Sequence, residues 1–69
     1  MKDFNDFAKS LSNEVLNELD EKALKQANEV YEKHKQEFEA VIRPIMHERY
    51  FNTYLTIALL EKYHQWLSE

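Results

Sequence analysis

Apolar side chains near the start of the chain recur at intervals of three and four residues, which is the period of an α-helix. They are Phe4, Phe7, Ala8, Leu11, Val15, Leu16 and Leu19. This spacing predicts a first helix over about residues 3–19. An alternative start near Asn13 stays open, because Ser12 is a good N-cap with Glu14 in the first turn, and Phe4 and Phe7 would then lie on a separate turn that docks back.

A second apolar series begins after Asp20, which can cap a helix whose first turn contains Glu21. Its members alternate between spacings of three and four: Leu24, Ala27, Tyr31, His34, Phe38, Val41 and Ile45. Charged residues flank this narrow line on both sides, as in a helix that packs along one line of contact. The pattern predicts a second helix over about residues 21–42.

Pro44 is the only proline, and the chain contains no glycine. Proline removes a backbone donor and clashes with the preceding turn, so a helix usually stops before it or bends there. We expect a hairpin at Pro44. A kinked continuous helix is the alternative, because neither Ile42 nor Arg43 is a good helix cap and no glycine is available for the corner.

The segment from Ile45 onward predicts a third helix over about residues 45–68 that is apolar on most of its sides. One heptad line comprises Met46, Tyr50, Thr53, Ile57, Leu60, His64 and Leu67, and other sides carry Phe51, Leu55, Ala58 and Trp66. A helix that is hydrophobic nearly all round is buried on several sides. Two short partner helices in a monomer could hardly cover it.

These patterns predict an all-α fold, a small bundle of three helices that forms a single domain over residues 1–69. With 69 residues and no cysteine, the chain has neither a large core nor a disulfide to stabilise it. Close helix packing and oligomerisation are the remaining sources of stability. We therefore expect self-association, as a homodimer.

The formal net charge of −4 disfavours direct contact with nucleic acid. Four lysines lie near one another in sequence, but glutamates interrupt them, so no basic patch is expected. The longest apolar run is far too short for a membrane span, which needs about 20 residues. The N-terminus lacks a basic stretch that leads into an apolar one, so we expect no secretory signal, no membrane association and a cytoplasmic location.

Candidate catalytic and metal-binding patterns are weak. Glu61-x-x-His64 resembles half of a carboxylate-bridged di-metal motif, but such a site needs a second copy of the motif and two further glutamates. His34, in the second apolar series, is better explained as a packed histidine than as a pH switch or a ligand. No nucleophile–base arrangement or glycine loop is present. We expect no enzyme activity, no metal and no cofactor.

The dense aromatic residues of the third helix suggest protein contacts, because Tyr and Trp are enriched at interface hot spots. The candidate partner-binding or self-association residues are Tyr50, Tyr54, Ile57, Tyr63 and Trp66. We expect a small protein-binding module of the regulator, inhibitor or adaptor type. The alternative is a nucleic-acid-linked regulator, either a DNA mimic through the acidic ridge of Glu14, Glu18, Asp20 and Glu21 or a helical DNA-binding dimer.

Overall fold

The computed structural model describes residues 2–69 and shows a helical hairpin with a short helix folded against its open end. The helices are α1, Phe4–Ser10; α2, Asn13–His34; and α3, Arg43–Ser68, with a 3-10 turn at Lys35–Glu37. No strand occurs among residues 2–69. The predicted all-α class with three helices is confirmed, although the positions of the breaks differ.

The first break lies at Leu11 and Ser12, so the predicted continuous helix over residues 3–19 is wrong. The Ser12 hydroxyl accepts a hydrogen bond from the Val15 amide at 3.2 Å and thereby caps α2. Asp3 caps α1 in a similar way through the Asn5 amide. The alternative start at Asn13 is confirmed. Asp20 lies inside α2 and makes no break, because the earlier serine cap starts the helix first.

The hairpin turn begins at the end of α2, well before the predicted end near residue 42. The side chain of Arg43 holds this turn, because its Nε donates to the carbonyl oxygens of Lys35 at 2.8 Å and Phe38 at 3.2 Å. Phe38 is extended and its ring packs 6.5 Å from the ring of Tyr50. These contacts stop the apolar series of α2 from continuing as a helix.

Pro44 lies in the first turn of α3, where its missing N–H has no helical partner to lose. The expected hairpin is therefore confirmed, and the kinked continuous helix is wrong. No residue among 2–69 has a positive φ angle. The corner is built from ordinary backbone conformations, which explains how a chain without glycine makes it.

The interface between α2 and α3 is lined by alanine. Ala23, Ala27 and Ala58 are buried, and small side chains let two helix backbones approach closely. Lys22 pairs with Glu61 across this interface at 3.3 Å. His47 bonds to Asn28 and meets the ring of Tyr31 edge-on at 5.1 Å.

Candidate functional site

The aromatic side chains of the last two turns of α3 are engaged by α1. Phe7 is only 3% exposed, and its ring lies 5.0 Å from Tyr63 and 5.5 Å from Trp66. Phe4 adds an edge contact to Tyr63 at 5.5 Å. Two of the five predicted binding residues are thus half-buried within the chain itself.

Lys2 closes this aromatic cluster at the end of α3. Its ammonium group lies 5.0 Å from the centre of the Trp66 ring. It also donates to the backbone carbonyl oxygens of Trp66 at 2.6 Å and Glu69 at 2.8 Å. A cation at a helix C-terminus satisfies carbonyls that have no helical partner and complements the helix dipole. The N-terminal segment is therefore fastened to the end of α3 by both apolar and polar contacts.

The other three predicted residues lie further back along α3. Tyr50 and Tyr54 are half-buried, and Tyr50 contacts Phe38 in the hairpin turn. Ile57 is 42% exposed and is the most open of the five. The structure therefore does not gather the five residues into one aromatic surface.

A different set of α3 residues forms a continuous exposed line, which we call the α3 stripe. Leu60 is 61% exposed and Leu67 is 41% exposed, and both lie on the same side of the helix as Ile57. Thr53 and His64 are also exposed. With the half-buried Tyr50, the α3 stripe comprises Tyr50, Thr53, Ile57, Leu60, His64 and Leu67. It is the heptad line predicted from the sequence without its first member, the half-buried Met46, and it has no partner helix among residues 2–69.

An apolar groove adjoins the α3 stripe where α1 crosses the beginning of α2 and the rear of α3. It has a volume of about 360 Å³, and Leu60 belongs to both surfaces. We call it the α1 groove; its lining residues are Phe4, Phe7, Ala8, Leu11, Leu16, Thr56, Leu59 and Leu60. Phe4, at 60% exposed, and Leu16 remain accessible to a partner.

The two ends of the hairpin differ in charge. The open end, residues 2–21 and 56–69, carries eight acidic and three basic side chains. The turn end, residues 22–55, carries five acidic and six basic ones. The α1 groove therefore lies at the acidic end, and this end accounts for the net negative charge of the chain, because basic side chains slightly outnumber acidic ones at the turn end.

The polar candidates make ordinary local contacts. Glu61 pairs with Lys22 and not with His64, and Nδ1 of His34 lies 3.1 Å from Glu37 at the end of α2. Within residues 2–69, no group of three or more His, Asp or Glu side chains is arranged to hold a metal ion. No helix in this part of the chain is long and apolar enough to cross a membrane.

Comparison with protein-family models, with curated proteins and with solved structures found no match to this chain. Sequence reasoning found the heptad line but selected residues by aromatic content, so it omitted Leu60 and Leu67. The apolar spacing was the signal that could have found them, because Leu60 and Leu67 lie on the same heptad line as Ile57.

Proposed function

We propose that this protein is a small protein-binding module of the regulator, inhibitor or adaptor type, which acts through helix surfaces and self-associates as a dimer. The observation that carries the proposal is the amount of surface left open. The chain has an accessible surface of 5527 Å². A compact monomer of 8.4 kDa exposes about 4,600 Å², so about 900 Å² is in excess.

Much of this open surface is apolar. The α3 stripe and the α1 groove expose Ile57, Leu60, Leu67, Phe4 and Leu16 as neighbours, not as scattered single residues. Contiguous apolar patches on a small domain mark interaction sites or aggregation liabilities. The acidic open end favours a partner surface that is apolar with a basic rim, because complementary charge steers encounter and excludes wrong partners.

Site-specific photo-crosslinking in cells that make the protein tests this function. A photoreactive phenylalanine analogue at Phe4 should yield an adduct with a protein, because this position lies in the α1 groove. The same analogue at Val41, which is 76% exposed in the hairpin turn, is the matched control and should yield none. Equal adducts from both positions would show that the groove has no specific partner.

A charge placed in the groove sharpens the test. Leu16→Glu should abolish the adduct from position 4, because a carboxylate in the groove would be desolvated by the partner. Leu24→Glu, at a similarly exposed leucine of α2 outside the groove, should preserve it. Circular dichroism must show that both variants remain helical.

The exposure of the acidic ridge favours DNA mimicry as the second candidate. Glu14, Glu18 and Glu21 are exposed and lie on one side of α2. We expect Glu14→Gln with Glu18→Gln to leave the adduct nearly unchanged, since exposed carboxylates contribute little individually. Loss of the adduct in this double variant, with the Leu16→Glu variant still active, would favour the mimic.

The DNA-binding form of this alternative has less support. Of the four lysines near the middle of the chain, Lys22 pairs with Glu61, and Lys35 pairs with Glu32 at 2.8 Å. Binding of the purified protein to duplex DNA, titrated with salt, tests it directly, because phosphate contacts produce a steep dependence on salt concentration. We expect no such dependence and no measurable duplex binding.

A further inference from the structure

We propose that a second copy of this chain covers the α3 stripe, with the two α3 helices antiparallel and Ile57 of each copy packed against Leu60 of the other. This inference rests on the proposed function and names the partner at one of its two surfaces. The α1 groove beyond Leu60, around Phe4 and Leu16, stays available to a different protein. Four features of the molecule lead to the proposal: the excess area, the helical repeat of the α3 stripe, the charge of the two ends and the order of residues along the stripe.

The excess area matches what one partner contributes to a stable dimer. About 800 Å² per partner is buried in a protein interface of standard size. The excess of about 900 Å² over a compact monomer is of that order. The radius of gyration of 14.8 Å likewise exceeds the value of about 11 Å expected for a compact domain of this length. Two hairpins packed side by side would form a compact four-helix body.

The pattern of the α3 stripe selects a helix as the occupant. Its residues alternate between spacings of three and four over almost five turns, which is the repeat that fits one helix against another along a shallow angle. The second copy offers the same repeat. A two-fold axis then lets the α3 stripe meet itself, as in the commonest class of oligomer.

Charge selects the antiparallel orientation. A parallel pair would place two open ends together, each with eight acidic and three basic side chains. An antiparallel pair in which Ile57 faces Leu60 instead places residues 62–69 of each open end beside residues 48–55 of the other copy's turn end, and the turn end carries five acidic and six basic side chains. At physiological salt, charges within about 8 Å still repel, so a lateral pair of helices experiences this difference.

The order of residues selects the register. If Ile57 lies opposite Leu60 of the second copy, the same antiparallel alignment sets Thr53 opposite His64 and Tyr50 opposite Leu67. Apolar residues then meet apolar or aromatic ones, and the two symmetry-related polar layers each pair a hydroxyl with an imidazole. Sliding the pair so that Ile57 meets Thr53 would instead place His64 against Met46. That register leaves a buried polar group without a partner, which is costly.

The absence of cysteine from the chain allows a direct test of orientation. Purified Tyr50→Cys and Leu67→Cys variants should form a disulfide with each other when mixed and oxidised. Neither variant alone should form a disulfide-linked dimer. In the antiparallel pair, two copies of the same position are separated by about 25 Å along the helix axis, because 17 residues rise about 1.5 Å each.

The solution mass gives the second measurement. Sedimentation equilibrium at micromolar concentration should give twice the monomer mass of 8.4 kDa. Leu60→Lys should yield a helical monomer, and Val41→Lys should remain a dimer. Efficient disulfide formation by each cysteine variant alone would show a parallel pair and overturn the proposal. A wild-type monomer mass would overturn it as well.

The two proposals fail differently. A monomeric protein that still forms the adduct from position 4 would keep the protein-binding function and remove the second copy. A dimer with the expected disulfide but no adduct from position 4 would do the reverse. The disulfide experiment uses purified protein alone, so the absence of a cellular partner does not affect its outcome.

Discussion

The α2–α3 interface and the aromatic cluster at the open end of the hairpin are held together by different kinds of packing. Along the α2–α3 interface the buried residues are alanines, which bury little surface but allow the backbones to approach. At the open end, by contrast, Phe7 is inserted between Tyr63 and Trp66. Aromatic side chains bury about 150–250 Å² each, so the seven-residue α1 contributes a large share of the apolar burial.

This difference shows why the molecule leaves so much apolar surface open. An alanine-lined interface uses only a narrow strip of α3, and the aromatic cluster uses only its last two turns. The α3 stripe lies outside both. The stabilities of wild type and variants should be measured at one fixed protein concentration, because the proposed self-association would add a concentration-dependent contribution.

The largest effect is expected at the aromatic end. Phe7→Ala should destabilise the protein by about 3–5 kcal/mol, because it removes a buried ring and leaves a cavity. Urea denaturation followed by circular dichroism measures the change. Phe4→Ala is the matched control in the same helix, and its loss should be about 1 kcal/mol or less, since Phe4 is mostly exposed. Equal losses would show that α1 does not depend on Phe7.

A larger side chain should destabilise the alanine-lined interface between α2 and α3 by overpacking. Ala27→Leu should cost about 1–3 kcal/mol, because a larger side chain forces the two helix backbones apart. The same urea titration applies. Ala40→Leu, at an exposed alanine of the hairpin turn, is the control and should be nearly neutral. If Ala27→Leu were stabilising, the helices would have room between them and the interface would be looser than the structure shows.

The N-cap of α2 at Ser12, which connects α1 to the helix that carries the alanine interface, should have an intermediate effect on stability. Ser12→Ala removes the acceptor for the Val15 amide and should cost about 1 kcal/mol. Ser12→Asp should retain most of the stability, because aspartate is an equally good N-cap that also favours the helix dipole. Equal loss in both variants would indicate that the cap is not what fixes the start of α2.

The smallest effect is expected from the Lys22–Glu61 pair across the alanine interface. Both side chains are more than half exposed. A double-mutant cycle of Lys22→Met and Glu61→Gln should give a coupling of about 0.2–1 kcal/mol that decreases in high salt. A larger coupling that persists in high salt would assign this interface an electrostatic component that its exposure does not suggest.

The sequence by itself determined the fold class, the number of helices and the start of a new helix at Pro44. Each of these follows from local chemistry: apolar residues at the helical period, no glycine and a proline that begins a helix more readily than it continues one. Ser12 also carried the information for the true start of α2, although the uninterrupted apolar spacing around it favoured one longer helix. The apolar spacing also predicted the heptad line on α3, although not that it is exposed.

Only the tertiary structure decided which apolar faces are covered. The second apolar series stops at His34, because Phe38 packs on Tyr50 and Arg43 binds the turn carbonyls, contacts between residues that sequence spacing does not relate. Tyr63 and Trp66 are likewise covered by Phe7 of α1, a residue to which sequence spacing does not relate them. Periodicity reports which residues share a face of a helix, whereas burial depends on which other element meets that face. The candidate site therefore comprises the α3 stripe, which keeps Tyr50 and Ile57 of the five predicted residues, and the α1 groove.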